Sequence, residues 1–278
     1  QAEYIASQKI DSVFITGSTG EGHSLTRQER VQMFNAWARA GQENGIKVVG
    51  HVGGNCIQDA RFLASHAQNC GLDAIAALAP SYYKPSSVDD LIACCAEIAE
   101  GAPELPFYYY DIPVLTGVEF PMSEFLQKAK ARIPNLAGIK YTNSDISSYR
   151  DALKESNDRF DLPWGVDEML FDALESGAKG AVGSTYNLIA PLFHELINDY
   201  QAGRLDDARA KQKQAIEFVE TVAEYGYLSA SKAILGWRGI PVGPARLPIS
   251  NPGPEQLDQL RTKLSSLGVL NTLLANPA

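Results

Sequence analysis

The stretch LAGIKYTN (136–143) is a short apolar run that carries a lysine, Lys140, to its polar end. Runs of this kind, bounded by turn-forming residues, read as strands covered on both faces. Lysine is among the residue types least often buried, so its place there needs a reason. Snorkelling of the ammonium to solvent is one reading. The other is chemical. An amine attacks a ketone only when neutral, and its ordinary pKa is about 10.4. Burial lowers that value and frees the lone pair.

The same pattern recurs on both sides of this strand. SVFITG (12–17), KVVGHVG (47–53), DAIAALAP (73–80), PFYYYDIP (106–113), LPWGVD (162–167) and GAVGSTYN (180–187) read as strands, making seven with LAGIKYT. A helical stretch follows each. The first opens at Thr26, with Glu29 three positions on in capping-box spacing. The others are expected over 57–70, 89–99, 122–131, 147–154, 169–175 and 191–201, with one more over 2–9. Strand–helix alternation predicts a parallel sheet, either a barrel or doubly wound. From about Leu205 the strands stop. Helices are expected over 208–224, 229–237 and 254–267, around the Pro/Gly-rich loop RGIPVGPARLPISNPGP. The chain therefore divides into a strand–helix part, 1–202, and a helical extension, 203–278. A barrel of eight units calls for one more strand ahead of residue 1.

Composition narrows the partners. The chain has 278 residues, 45% of them hydrophobic, enough for a sizeable core. Its net charge of −9 and the lack of a basic stripe argue against nucleic acid and anionic membrane. No apolar run approaches the roughly 20 residues of a membrane span, and the start lacks a signal-peptide pattern. Cys56, Cys70, Cys94 and Cys95 have no metal spacing and read as free thiols in a reducing, cytoplasmic compartment.

The polar motifs gather at the carboxyl ends of the strands: TGSTGE, HVGGN, APSYY, YYDIP, KYTN, GVDE and GSTYN. Both parallel architectures build their sites there. Turn formation explains the glycines and serines. It does not explain a lysine, an acidic pair and three consecutive tyrosines on one edge. Tyr108 and Tyr110 share a face and Tyr109 takes the other, so one tyrosine can reach across to Lys140 while another packs against helices. TGSTGEG (16–22) has neither Rossmann nor Walker spacing, but its N–H groups and hydroxyls suit an anion such as a carboxylate. Asp167 and Glu168 either complement a helix dipole or accept hydrogen bonds from a polyol. His194-Glu195 fails the zinc pattern because Asn198 stands where the second histidine belongs. His23, His51, His66 and His194 read as structural or surface residues.

Taken in order, GSTGE (17–21), YDIPVLTG (110–117), GIKYT (138–142), GVDE (165–168) and GSTYN (183–187) resemble the pyruvate-dependent class I aldolases, the dihydrodipicolinate synthase family. The resemblance covers nearly the whole chain. It implies a (β/α)8 TIM barrel with a C-terminal three-helix extension, a homotetramer, and Schiff-base chemistry needing no metal or organic cofactor. By motif, it makes Lys140 the Schiff-base lysine and Tyr110 the proton carrier. Ser18 and Thr19 hold the pyruvate-derived carboxylate, and Thr142 lies beside the iminium. Gly165, Asp167, Glu168 and Ser184 contact the sugar chain, and Tyr82 reaches into a neighbouring subunit's site. PFYYYDIPVLTGV, WGVDE and GIPVGPARLP point to the sialic-acid-cleaving branch. Synthases of the family carry an arginine where this chain has Leu115, so a second substrate carboxylate has no charge-assisted partner. The alternatives are cleavage of another 2-keto-3-deoxy acid, synthase-like condensation, and a non-catalytic scaffold barrel.

Overall fold

Parallel strands form where the apolar runs predict them. The computed structural model describes residues 1–267. Within it are β1 (Ser12–Ile15), β2 (Lys47–His51), β3 (Ala74–Leu78), β4 (Phe107–Asp111) and β5 (Leu136–Tyr141). They pair in chain order, all parallel. Helices α1 (Ala2–Ser7), α2 (Arg27–Asn44), α3 (Ile57–Cys70), α4 (Val88–Ala99), α5 (Pro113–Thr116), α6 (Met122–Ala129) and α7 (Ile146–Ser156) precede and connect them. The short α5 has no counterpart in the sequence expectation. At α2 the capping box is present as expected: Thr26 Oγ1 accepts from the Glu29 N–H at 3.2 Å, and Glu29 Oε2 accepts from the Thr26 N–H at 2.8 Å. Such a cap contributes about 1 kcal/mol.

The sixth and seventh expected strands form only isolated bridges, at Asp161, Trp164 and Ala181. Pro163 has no N–H to give to a ladder, which shortens the sixth. Their backbone still follows the barrel order. Tyr141 N–H donates to Pro163 O at 2.9 Å, Gly165 N–H to Tyr141 O at 2.7 Å, and Val182 N–H to Trp164 O at 2.8 Å. Side chains supplement the short ladder. Trp164 stacks on Tyr141 and meets Tyr149 edge-on at 4.9 Å, and the Tyr149 hydroxyl donates to Leu162 O at 2.7 Å. Aromatic pairs of this kind add about 0.5–1.5 kcal/mol each beyond their burial. The described barrel wall thus has seven parallel members, five of them full strands.

Of three apolar clusters among the described residues, two are large. One lies between the strands and α2, α3, α4, α6 and α7, with Phe34, Leu63, Leu91, Phe125 and Trp164 at or near zero exposure. The other joins α8 (Leu170–Ser176) and α9 (Tyr186–Gln201) to α10 (Leu205–Ala223), α11 (Tyr227–Trp237) and α12 (Pro254–Ser266) around Phe193, Phe218 and Leu260. Helix α9 kinks at Ile189, next to Pro191, whose ring cannot continue a regular helix. The loop over 238–253 is irregular, as its prolines and glycines imply. All four cysteines are free thiols. Residues 268–278, the end of the expected extension, lie outside the described residues.

Candidate active site

The strand register delivers the first pair. Tyr110 and Lys140 stand opposite each other on β4 and β5. Both side chains point inward, by the alternation that sends Tyr109 outward against Phe125 at 4.9 Å. Tyr108 ends at the other end of the strand, donating to Asp161 Oδ2 at 3.2 Å. The Lys140 ammonium group lies 4.0 Å from the Phe14 ring centroid and 4.1 Å from that of Tyr110. Lys140 is only 8% exposed. Burial pushes its pKa down to about 7, against the opposing pull of Asp167. Near neutral pH roughly half of such a lysine is free amine, against about one part in a few thousand at the ordinary value. Snorkelling is therefore not how this side chain resolves its burial.

Tyr110 reaches the loop after β1. Its hydroxyl lies 3.4 Å from Ser18 Oγ. Burial raises the phenol pKa, while the Ser18 and Thr142 hydroxyls pull it back. In the same loop the N–H groups of Ser18 and Thr19 enter no hydrogen bond among the described residues. Two free amide donors beside two hydroxyls suit a carboxylate.

The opposite wall comes from the bridged segments. Asp167 is 5% exposed. Its Oδ2 accepts from the Thr185 N–H at 2.8 Å, while Oδ1 is buried without a donor. Burial raises its pKa against the Thr185 hydrogen bond. A Cβ on residue 183 would sit 1.5 Å from that Oδ1, so only glycine admits the carboxylate. Gly165 admits the Thr142 hydroxyl in the same way, with 1.9 Å available. Gln212 of α10 donates to the Asp167 carbonyl at 3.1 Å and accepts from the Phe171 N–H at 2.9 Å, which fixes this turn from behind. Tyr227 of α11 takes the hydroxyls of Ser184 (3.2 Å) and Thr185 (2.6 Å).

One cavity of 1010 Å³ collects Lys140, Tyr110, Ser18, Thr19, Thr142, Gly165, Asp167, Glu168 and Ser184 on its wall. Tyr82 is not on that wall and is 76% exposed. Phe14, Gln212 and Tyr227 escaped the sequence reading. An apolar residue on an apolar strand and two helix residues far along the chain carry no local sign of a site. Two histidines take structural places: His51 is fully buried on Thr16 O at 3.0 Å, and His194 meets Gln8 O at 2.9 Å.

Comparison with known proteins identifies the family. The model of the dihydrodipicolinate synthetase family matches residues 1–267. The chain belongs to that family. Among curated relatives of this dihydrodipicolinate synthetase family member, the N-acetylneuraminate lyase of Xenopus tropicalis is 39% identical over 269 residues, covering 96% of this chain and 88% of that one. The human N-acetylneuraminate lyase is 36% identical over 270 residues, covering 96% and 84%. Among solved structures, N-acetylneuraminate lyase from Proteus mirabilis superimposes with a TM-score of 0.92 at 33% identity, covering 96% of this chain and 90% of that one. The Aliivibrio salmonicida sialic acid aldolase gives 0.92 at 35%, covering 96% and 88%. The fold is the TIM barrel of this family.

Proposed function

We propose that the chain is a Schiff-base aldolase that cleaves N-acetylneuraminate reversibly to N-acetylmannosamine and pyruvate. The observation that carries the reading is Lys140, buried at a strand end with its pKa pushed down to about 7. Its neutral amine adds to the C2 ketone of the open-chain sugar acid and loses water to give an iminium. Ser18 and Thr19 hold the adjacent carboxylate. Tyr110, whose free-enzyme pKa burial has raised, gives its proton to the carbinolamine hydroxyl that leaves as water, and the positive charge of the iminium beside it stabilises the phenolate. Tyr110 takes the C4 hydroxyl proton, directly or through the substrate carboxylate. The C3–C4 electron pair moves into the iminium, and N-acetylmannosamine leaves. Protonation of the enamine and hydrolysis release pyruvate and restore Lys140. In this reading Thr142 lies beside the iminium, and Gly165, Asp167, Glu168 and Ser184 meet the hydroxyls of the sugar chain.

The relatives named above favour this substrate, and the uncharged Leu115 in the YDIPVLTG segment favours a polyol over a second carboxylate. The test compares pyruvate release from N-acetylneuraminate with release from 2-keto-3-deoxygluconate. Faster release from the former supports the reading; release from the latter alone moves the enzyme to another branch.

The reading includes a homotetramer in the cytoplasm. Tyr82 and Tyr83, on the loop after β3, and Val114 and Leu115, on α5, are all more than half exposed, and an apolar group of this kind suits a subunit contact. Tyr82 would there approach a neighbouring site. Light scattering on Tyr82→Ala checks the contact. Among the described residues no helix is long and apolar enough to cross a membrane.

A further inference from the structure

The loop carrying Ser18 and Thr19 is held in a costly shape. Two non-glycine residues flank the pair in the left-handed region: Thr16 at φ 54° and Glu21 at φ 51°. Such residues persist only where their surroundings over-determine them. Thr16 is fixed within the barrel. Its Oγ1 donates to His51 O at 2.8 Å, and its carbonyl meets His51 Nδ1 at 3.0 Å.

Glu21 is fixed from the far end of the chain. Its carboxylate pairs with Lys232 of α11 and accepts from the Arg246 N–H at 2.6 Å. Lys232 also donates to Pro244 O at 3.0 Å. The Arg246 guanidinium continues to Glu29 at 2.6 Å and to Ser24 O at 3.3 Å, at the cap of α2. The Glu21 and Lys232 side chains are only 8% and 16% exposed. Other ion pairs are of a different kind: Arg27 and Asp59 are 55% and 48% exposed. An exposed pair contributes little, whereas a buried one leaves an uncompensated charge when either partner is removed. None of Glu21, Lys232 and Arg246 lines the cavity.

We propose that Glu21, Lys232 and Arg246 are positioning residues: the helical extension grips the Glu21 carboxylate and thereby fixes the Ser18 and Thr19 donors against the carboxylate of a 2-keto acid. The proposal rests on the aldolase reading above. It assigns the extension a role in substrate binding, because small misplacements of such donors cost affinity and rate.

The test measures the pyruvate concentration that half-saturates borohydride labelling of Lys140, in the whole chain and its variants. Lys232→Met raises it about tenfold, with labelling at saturation retained. Lys232→Arg, which restores the charge, returns it to within a factor of about two. Glu21→Gln, which keeps an acceptor for the Arg246 N–H but loses the charge, falls between them. The loss in Lys232→Met does not add to that in Ser18→Ala, because both act on one contact. Unchanged half-saturation in Lys232→Met and Glu21→Gln, with or without a fall in the labelled fraction through unfolding, overturns the proposal. Failure of the unaltered chain to label defeats the aldolase reading, and the proposal with it.

Discussion

Two lysines on two parts of the molecule face opposite fates. Lys140, at the end of β5, is buried between the Phe14 and Tyr110 rings and its pKa is pushed down to about 7. Lys232, on α11 of the helical extension, is also largely buried but is met by the Glu21 carboxylate. The residue type is the same and neither side chain is open to solvent; the partner differs. A buried amine with aromatic faces for neighbours becomes a nucleophile. A buried amine with a carboxylate becomes a strut. Reactivity is thus a property of the surroundings that the fold supplies, here by the inward alternation of two adjacent parallel strands.

The sharpest way to break the contrast is to remove the proposed nucleophile. Lys140→Met should lower aldol cleavage by about a thousandfold or more, since no other amine can take its place. Its stability should move the other way. The folded pKa lies below the unfolded one, so between pH 7 and 10.5 the unfolded chain binds more protons and the wild type is penalised below that window. At pH 7 the variant should gain on the order of 4 kcal/mol, read by thermal unfolding. Tyr110→Phe comes next. It should still form the iminium but cut turnover by roughly 10²–10⁴, measured as pyruvate release set against borohydride labelling. Gly183→Ala would press a methyl group onto Asp167 and should cost about 1–3 kcal/mol of stability along with sugar affinity, read by unfolding and by KM. Least in its expected effect on activity is Asp111→Asn. Burial pushes the Asp111 carboxyl up to about 7. Its folded pKa thus exceeds the unfolded one, so the wild type loses stability as pH rises from about 4 to 7. The variant should gain up to about 4 kcal/mol at pH 8 and little at pH 4, read by the melting temperature at each pH.

Much of the barrel was legible in the sequence because buried parallel strands are continuous apolar runs that announce themselves locally. The two later strands were overestimated. LPWGVD has the composition of a strand, yet Pro163 denies it a ladder, and side-chain packing around Trp164 takes part of the load. Nine of the ten expected site residues, all but Tyr82, fall on one cavity because motifs at strand ends are brought together by the fold itself. What stayed hidden acts across the chain. Glu21 and Lys232 are 211 positions apart and Asp167 and Gln212 are 45 apart, so no local pattern joins either pair. Phe14 looked like any strand residue until its ring was found against Lys140.

The central claim is that Lys140, and not another of the chain's lysines, is the neutral amine. Borohydride reduction with pyruvate across a pH series, followed by peptide mapping, tests it most directly. A reduced adduct confined to the peptide bearing Lys140, with a labelling rate that climbs as pH rises to about 7 and then levels, is the result this account predicts. An adduct on Lys232 or any other lysine, or no adduct at all, would contradict it.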